Sequence, residues 1–358
     1  MGGSSGAPLR IVQWTTGGVA RQVVRGVLAD PGLELVGAFA HSAEKVGRDV
    51  GELCGLDPIG VVATADVDSL IALEPDCVVY TPLHFEVDEV VVLLEQGIDV
   101  VTSAEFLTGR GIGELGRDAV EAAARRGGAT IFGSGMNPGY AQLLGAVSAG
   151  ISRNIAHVKV TESFDVTMFA GDGNMDELGW GRPAGDPTHE ADLRDATIVF
   201  ADGLDVLAEL LGVELDDRRC TATFAHATAD LDLPGRPIGA GTVAGIDLRW
   251  EGLVGGRAVV ELHQRWTMGP KLEPAMPVES GYLVQVEGEP RIRTRVDIWP
   301  HQDDLSTLTP DDFHAIGMVI TGMPLVHAIR AVCAAEPGIR TYGDLPATAG
   351  SGRLATGS

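Results

Sequence analysis

The chain has 358 residues, 45% of them hydrophobic and 48 of them glycine, which is enough to bury a large core and long for one domain at roughly 100–200 residues each. Its formal charge of −24 argues against nucleic acid or an anionic membrane as a partner held by bulk electrostatics, because both need clustered Lys and Arg.

From the amino end, short apolar β-branched runs alternate with helical material. Leu9 to Trp14, Leu33 to Phe39, Cys77 to Tyr80, Ile98 to Val101 and Ala129 to Phe132 read as strands buried on both faces. Val19 to Ala29, the stretch around Asp66 to Leu73, Phe85 to Gln96 and Ile112 to Arg126 read as helices. Such alternation predicts a Rossmann-type doubly wound parallel sheet, an α/β fold whose ligand crevice lies at the carboxyl ends of the strands.

The residues just past each strand are therefore the site candidates. Thr15, Thr16, Gly17, Gly18 and Val19 form a strand–turn–helix start in which Thr15, Gly17 and Ala20 take the three glycine-fingerprint positions of a dinucleotide site. Gly17 matters most for a pyrophosphate, since a Cβ there would keep the anion from the helix-start N–H groups. A glycine-softened turn with no ligand is the plainer alternative.

After the second strand, where NAD enzymes place an acid for the ribose 2′-OH, the chain has Ala40-His41-Ser42, then Lys45 and Arg48. His41 and Ser42 thus favour NADP, and Glu44 keeps NAD as an alternative. Lys45 and Arg48 equally suit the solvated face of a short helix. Thr81, Pro82 and Leu83, followed by His84, form a turn either against the nicotinamide ribose or without ligand. Past the fifth strand, Ser103 and Glu105 stand at the crevice edge. A partly shielded Glu105 would act as general acid or base, or else would charge the start of the next helix. Asn137, before Pro138, is either a ligand for the nicotinamide carboxamide or a turn former.

Beyond a helix from Ala141 to Ile151 the pattern changes. His157 to Phe169, Arg218 to Ala229, Gly241 to Trp250, Arg257 to Thr267, Gly281 to Val286 and Ile292 to Ile298 alternate with period two, predicting a second α+β domain on a mainly antiparallel sheet. Gly171 to Asp195 reads as a long loop and Thr197 to Leu211 as a helix. Pro310 to Met323 and Pro324 to Ala335 read as two helices returning to the first domain. Tyr140, Met168 in its strand and His263 are candidates to wall a substrate pocket, each with core packing as the alternative. The domain reading is a flexible tail at 1–8, a dinucleotide-binding domain at 9–153, a substrate and dimerisation domain at 154–305, returning helices at 306–348 and a tail at 349–358.

Four separated cysteines without a C-x-x-C spacing fit a reducing cytoplasm. No apolar run reaches the roughly 18–20 residues of a membrane span, and the first six residues lack the regions of a signal peptide. The nine histidines show no metal-ligand spacing, and there is no G-x-S-x-G nucleophile elbow, Gly133-Ser134-Gly135 being too short a match. An open antiparallel sheet needs covering, which predicts a homodimer.

Trp14-Thr15-Thr16-Gly17-Gly18-Val19, Lys45-Val46-Gly47-Arg48-Asp49, Thr102-Ser103-Ala104-Glu105 and Gly133-Ser134-Gly135-Met136-Asn137-Pro138-Gly139-Tyr140 carry a resemblance. The first half resembles the dihydrodipicolinate reductase amino-terminal domain. The whole chain is similar to the branch holding 2,4-diaminopentanoate dehydrogenase and the native amine dehydrogenases. The His-His pair, the Lys and the Ser-Gly-Thr turn of the true reductases are missing, which departs from lysine-biosynthetic activity. The resemblance implies reductive amination of a small ketone or aldehyde with ammonia and NAD(P)H, with Glu105 as the catalytic glutamate and Tyr140 and Met168 shaping the pocket. A carbonyl or imine reductase that needs no ammonia, and a cofactor-binding regulatory protein without turnover, are the competing readings.

Overall fold

The structure is a computed structural model that describes residues 7–301 and 305–346; the tail expected at 349–358 and most of that at 1–8 lie outside them. Two compact units result, one formed by Met1–Met136 with Gly317–Ser358 and the other by Asn137–Ile316.

The first unit is built on β1 (Leu9–Trp14), α1 (Gly18–Leu28), β2 (Leu33–Phe39), α2 (Val50–Leu53), β3 (Ala63–Thr64), α3 (Val67–Ile71), β4 (Cys77–Tyr80), α4 (Val87–Glu95), β5 (Asp99–Thr102), α5 (Gly113–Gly127) and β6 (Thr130–Gly133). Strands β4 and β6 are buried at every residue, as parallel strands covered by helices on both faces must be. Helix α1 buries Ala20, Val23, Val24 and Val27, an i, i+3, i+4, i+7 stripe, and each fully buried valine contributes about 1.5–3 kcal/mol.

The sheet also takes a strand from far along the chain, β14 (Gly338–Arg340), whose three residues are too few to register as a periodic run. The strand order is β14-β6-β5-β4-β1-β2-β3 and every pairing is parallel. The chain winds outward from β1 through β2 and β3, then restarts on β1's other side at β4. The topological switch point therefore lies between β1 and β4, where the crevice of such sheets opens.

The two helices expected around Pro324 are one, α9 (Pro310–Val332). An interior proline costs a helix about 3 kcal/mol, and here the residues around it are core: Pro324, Leu325, Val326, Ala328, Ile329 and Val332 are all buried. From Gly317 onward this helix belongs to the first unit. A Cβ on Gly322 would stand 3.2 Å from Val23 of α1, and Arg330 grips Asp30 with two bonds of 2.6 and 2.7 Å. With 23 residues and a mean hydropathy of 1.6 in its most apolar window, α9 has the length and composition of a membrane span, contrary to the expectation that no run reaches that length. Its last third spends that hydrophobicity inside the first unit.

The second unit holds α6 (Ala141–Ala149), β7 (Arg153–Asp165), α7 (His189–Ala196), α8 (Val199–Leu210), β8 (Asp217–Ala227), β9 (Val243–Val254), β10 (Arg257–Thr267), β11 (Leu272–Glu273), β12 (Gly281–Glu289) and β13 (Ile292–Val296). Their order is β11-β8-β9-β10-β7-β12-β13. All pairings are antiparallel except the central β7–β10 pair, which is parallel. Helices α6 and α8 cover one face: a Cβ on Gly145 would meet Val160 at 3.1 Å and Leu207 at 3.3 Å, and one on Gly203 would meet Leu262 at 2.9 Å. The segment read as loop from 171 to 195 ends in α7, whose His189 is buried, stacks on Phe224 at 4.0 Å and bonds Leu178 O at 2.9 Å. The expected architecture, a doubly wound parallel sheet with a second α+β layer, is the one observed.

Candidate active site at the carboxyl edge of the parallel sheet

The end of β1 is pinned from below by Trp14, which is buried, stacks on Phe39 of β2 at 4.2 Å and donates from Nε1 to Glu89 at 3.1 Å. Thr15 follows with φ +77°, the left-handed region that β-branched residues avoid. It is held there from both sides. Its N–H donates to Phe39 O at 3.0 Å and its hydroxyl to Thr81 O at 3.1 Å, while the Thr81 hydroxyl donates back to Trp14 O at 3.0 Å. Gln13, fully buried, donates from Nε2 to Trp14 O and to Thr81 Oγ1 at 2.7 and 2.8 Å. The ends of β1 and β4 are thus stitched together at the switch point.

Gly17 caps α1 without any side-chain bond to the helix start, and there is no acid in the first turn. Among the described residues a Cβ on Gly17 would meet nothing within 4 Å, so the helix start is uncrowded at that position. An unfilled, positively polarised helix start of this kind fits the pyrophosphate of a dinucleotide. Gly18 is different: its Cβ would lie 2.7 Å from Met318 Sδ, so its smallness serves the packing of α9.

Past β2, Ala40 is buried and His41 is exposed, set edge-on to Phe39 at 4.7 Å. Ser42 is half-buried and its carbonyl accepts from Lys45 N and Val46 N at 2.9 and 3.2 Å, making a turn. Lys45 and Arg48 are therefore not on a short helix, as one alternative had them; the helix α2 starts later, at Val50. Asp49 serves as its cap, accepting from Gly51, Ile59 and Gly60 N–H at 2.7 to 3.0 Å, and these bonds, Ile59 foremost, hold its carboxyl below the ordinary range.

At the end of β5, Thr102 Oγ1 accepts from Ala104 N at 3.0 Å and Ser103 O from Glu105 N at 3.1 Å. Glu105 has φ +46°, a second non-glycine residue in left-handed backbone on this edge. The turn lies tightly over the next strand: a Cβ on Gly133 of β6 would stand 1.7 Å from Phe106 O, so only glycine fits. Phe106 stacks on Phe85 at 4.7 Å beneath. The shielding expected of Glu105 is not found, since its side chain is 46% exposed, and Oε2 lies 3.5 Å from Nδ1 of His84. The helix-start alternative is also gone, because α5 begins only at Gly113.

Thr15 to Val19, His41, Ser42, Thr81, Pro82, Leu83, Ser103 and Glu105 all follow strand ends of the first unit's sheet. Asn137, Tyr140, Met168 and His263 belong to the second unit. Asn137, expected at the nicotinamide, has both ends of its amide engaged: Nδ2 donates to Glu162 at 2.6 Å and Oδ1 accepts from Gln142 at 3.0 Å. Tyr140 is half-buried at the start of α6. Met168 is not in a strand, because β7 ends at Asp165 and Met168 sits in a single 3-10 turn, Thr167–Phe169.

His263, expected in the pocket, lies on the opposite face of the sheet from Leu262 and its covering helices, since neighbours in a strand point to opposite sides. There its Nε2 shares a hydrogen bond with the Asp247 carboxylate at 2.9 Å, and burial lowers the imidazole's pKa while that bond opposes the shift. Asp247 also accepts from Arg265 at 2.8 Å, and although burial opposes it, these partners hold its carboxyl well below the carboxylate range. His84, read in sequence only as the last residue of the turn after β4, was given no role there. Glu162 escaped the sequence reading, although it was legible as an acid on the buried phase of β7, after Val158 and Val160.

Residues 11–104 match the family model for the dihydrodipicolinate reductase N-terminus. The amine dehydrogenase of Streptomyces virginiae is 30% identical over 361 aligned positions, covering 96% of this chain and 98% of the relative. The 4-hydroxy-tetrahydrodipicolinate reductase of Synechococcus elongatus is 36% identical, over only 18% of the chain. Among solved structures, the amine dehydrogenase of Mycobacterium smegmatis has a TM-score of 0.77 at 23% identity, covering 95% of this chain and 97% of its own. The WlbA dehydrogenase of Bordetella pertussis, solved with NADH and UDP-GlcNAcA, has a TM-score of 0.51 at 16% identity, with 94% and 91% covered. Identity of 30% to the Streptomyces enzyme over nearly the full length of both chains, on a sheet whose carboxyl edge fits a dinucleotide, places the chain in the amine dehydrogenase family, as an NAD(P)-dependent oxidoreductase acting on CH–NH2 groups.

Proposed function

We propose that the chain reductively aminates small ketones or aldehydes with ammonia, reversibly, using NADP in preference to NAD and Glu105 as general acid and base. Glu105 is assigned on its backbone. A glutamate costs about 1–3 kcal/mol to hold in left-handed conformation, and it is held so at the end of β5, one strand from β4 at the switch point. A carboxylate tied to the sheet in that way is aimed by the fold, and active sites are where such strain is retained.

When bound, the nicotinamide cofactor supplies hydride to carbon in one direction and accepts it in the other. The residues that would hold it are the Thr15–Val19 turn for the pyrophosphate, His41 and Ser42 for the adenosine ribose, and Thr81, Pro82, Leu83 and Ser103 along the crevice. The NADP preference follows from charge. No carboxylate directly follows β2 and Asp49 is spent on backbone N–H groups, while Lys45 and then Arg48 outweigh Glu44 on and after the turn that Ser42 starts.

In the forward direction ammonia adds to the carbonyl carbon, and a proton moves from nitrogen to the oxygen to give a carbinolamine. Loss of that oxygen as water leaves an iminium cation, which becomes the amine on receiving hydride. Glu105 is suited to taking a proton from ammonium as it becomes the attacking ammonia and giving that proton to the departing hydroxyl, so that water leaves, and its negative charge favours the iminium. Omitting ammonium from an assay with NADPH and a ketone tests the reaction: consumption must stop, and undiminished consumption would identify a carbonyl reductase instead. The same assay with NADH tests the cofactor preference, which fails if NADH is favoured.

A further inference from the structure

Strand β7 presents Val158 and Val160, both fully buried, to the helices on its covered face, and the next residue on that face is Glu162. Its strand neighbours are Gln264 on β10 and Tyr282 on β12. Glu162 Oε2 accepts from Asn137 Nδ2 at 2.6 Å and Oε1 from Trp266 Nε1 at 3.2 Å. Asn137 is fixed in turn by Gln142 of α6, which also accepts the Gly139 N–H. Gln264 is completely buried, yet among the described residues neither its amide oxygen nor its nitrogen finds a partner. A buried amide left unpaired costs about 1–3 kcal/mol, so the position calls for a ligand group or water. Aromatic rings pair nearby on this face: Phe164 with Tyr282 at 5.4 Å and Phe200 of α8 with Trp266 at 6.1 Å. Glu162 itself keeps partial exposure.

A carboxylate offers about four lone-pair sites, and Asn137 and Trp266 take two. What remains is acceptor capacity on Glu162 and on the Gln264 amide oxygen, beside the Trp266 and Tyr282 side chains. A compact cation rich in N–H donors meets both acceptors, and a small apolar body suits the neighbouring rings. We propose that Glu162 and Gln264, beside Trp266 and Tyr282, form a binding site in the second unit for the nitrogen of a primary alkylammonium ion. The site rests on the chain's action on CH–NH2 groups and requires no particular role for Glu105.

Proton linkage follows. Burial pushes the Glu162 carboxyl up to about 7, with the Asn137 and Trp266 bonds pulling the other way. The other titratable groups on this face include the buried Tyr282 phenol of β12, Asp202 and Asp205 of α8, Arg218 of β8 paired with Asp205, Cys220 of β8 and His189 of α7, while α6 and β10 present the neutral Gln142 and Gln264. An ammonium ion needs the ionised carboxylate, so binding near pH 6 releases a proton.

Calorimetric titration of the full chain with 2-aminobutane hydrochloride at pH 6 and pH 8, in buffers of different ionisation enthalpy, tests the site. The wild type is expected to bind more tightly at pH 8 and to release a proton at pH 6. Glu162→Gln is expected to weaken binding at least tenfold and abolish proton release, with NADPH affinity unchanged within twofold. Trp266→Phe removes a donor that favours the carboxylate, so the pH midpoint of amine binding is expected to rise. Equal amine affinity in wild type and Glu162→Gln, or no proton release by the wild type, overturns the site. Should Glu162→Gln not fold, an unmoved midpoint in Trp266→Phe does so. Amine binding with proton release but no ammonia-dependent turnover would support the site and count against the reductive-amination proposal.

Discussion

His84 Nδ1 lies 3.5 Å from Glu105 Oε2, across the ends of the adjacent parallel strands β4 and β5. Both side chains are about half exposed, at 50% and 46%, so the pair is screened by solvent and its worth is that of a surface ion pair, about 0.2–1 kcal/mol. In His84→Gln, kcat/KM for amination is expected to fall by at most about fivefold, since about 1.4 kcal/mol is tenfold. A kcat/KM equal to that of the wild type would remove His84 from the site.

Glu105→Gln keeps the shape of the turn and removes the proton acceptor. Its amination rate is expected to drop by about 10²–10⁴-fold, the usual contribution of a positioned acid or base, while NADPH binding stays as in the wild type. Retention of most of the rate would make the assignment of Glu105 wrong.

Glu105→Gly separates stability from activity. Glycine adopts φ +46° without the Cβ penalty, so the melting temperature is expected to rise, by an amount equivalent to about 1 kcal/mol, as turnover is lost. Thr15→Gly, at φ +77°, gains the same relief but loses the hydroxyl bond to Thr81 O, so its melting temperature is expected to stay near wild type. A melting temperature of Glu105→Gly at or below wild type would show that its backbone is not strained.

Gly133→Ala is expected to do harm by contact alone. The new Cβ would meet Phe106 O at 1.7 Å, so the 102–106 turn must shift, costing roughly 1–3 kcal/mol of stability as overpacking does and displacing Glu105. At Gly17, by contrast, a Cβ meets nothing within 4 Å. Gly17→Val is therefore expected to leave the melting temperature near wild type and to weaken NADPH binding, read by quenching of tryptophan fluorescence. A melting temperature unchanged by Gly133→Ala, or an NADPH affinity unchanged by Gly17→Val, would contradict these contacts.

Burial raises the Glu162 carboxyl from 4.5 to about 7. The folded chain then holds a proton that the unfolded chain has lost between those values. The stability this gives is full below about pH 4.5 and is lost as pH rises through 7. Glu162→Gln carries no such dependence. Relative to wild type it is expected to match at pH 4.5 and to gain on the order of 1–3 kcal/mol at pH 8, since each tenfold change in proton affinity is worth about 1.4 kcal/mol. Parallel stability curves for the two proteins across that range would exclude a raised Glu162.

The fold of the first unit was legible because its strands are buried on both faces and its helices on one, so hydrophobic period alone separates β1, β2, β4, β5 and β6 from α1, α4 and α5. What period cannot report is pairing. Three residues of β14 leave no repeat, and Pro324 reads as a break because its cost is local while the burial that offsets it comes from α1, some 300 positions away in sequence. Met168 and His263 were misplaced for a related reason: the end of β7 and the face on which a strand residue lies depend on partners such as Asp247, which lie on other strands.

By itself the sequence determined where the strands end, and in a doubly wound sheet that is enough to name Gly17, His41, Thr81 and Glu105 as edge residues. Only the tertiary structure decided what those edges are made of. The left-handed backbones of Thr15 and Glu105, the glycine-only contact at Gly133, the nearness of His84 and the enclosure of Glu162 by Asn137 and Trp266 all arise between segments far apart in the chain. Local propensity encodes the conformation a residue prefers. The conformation it is held in, and the pKa it acquires, depend on neighbours that only folding brings.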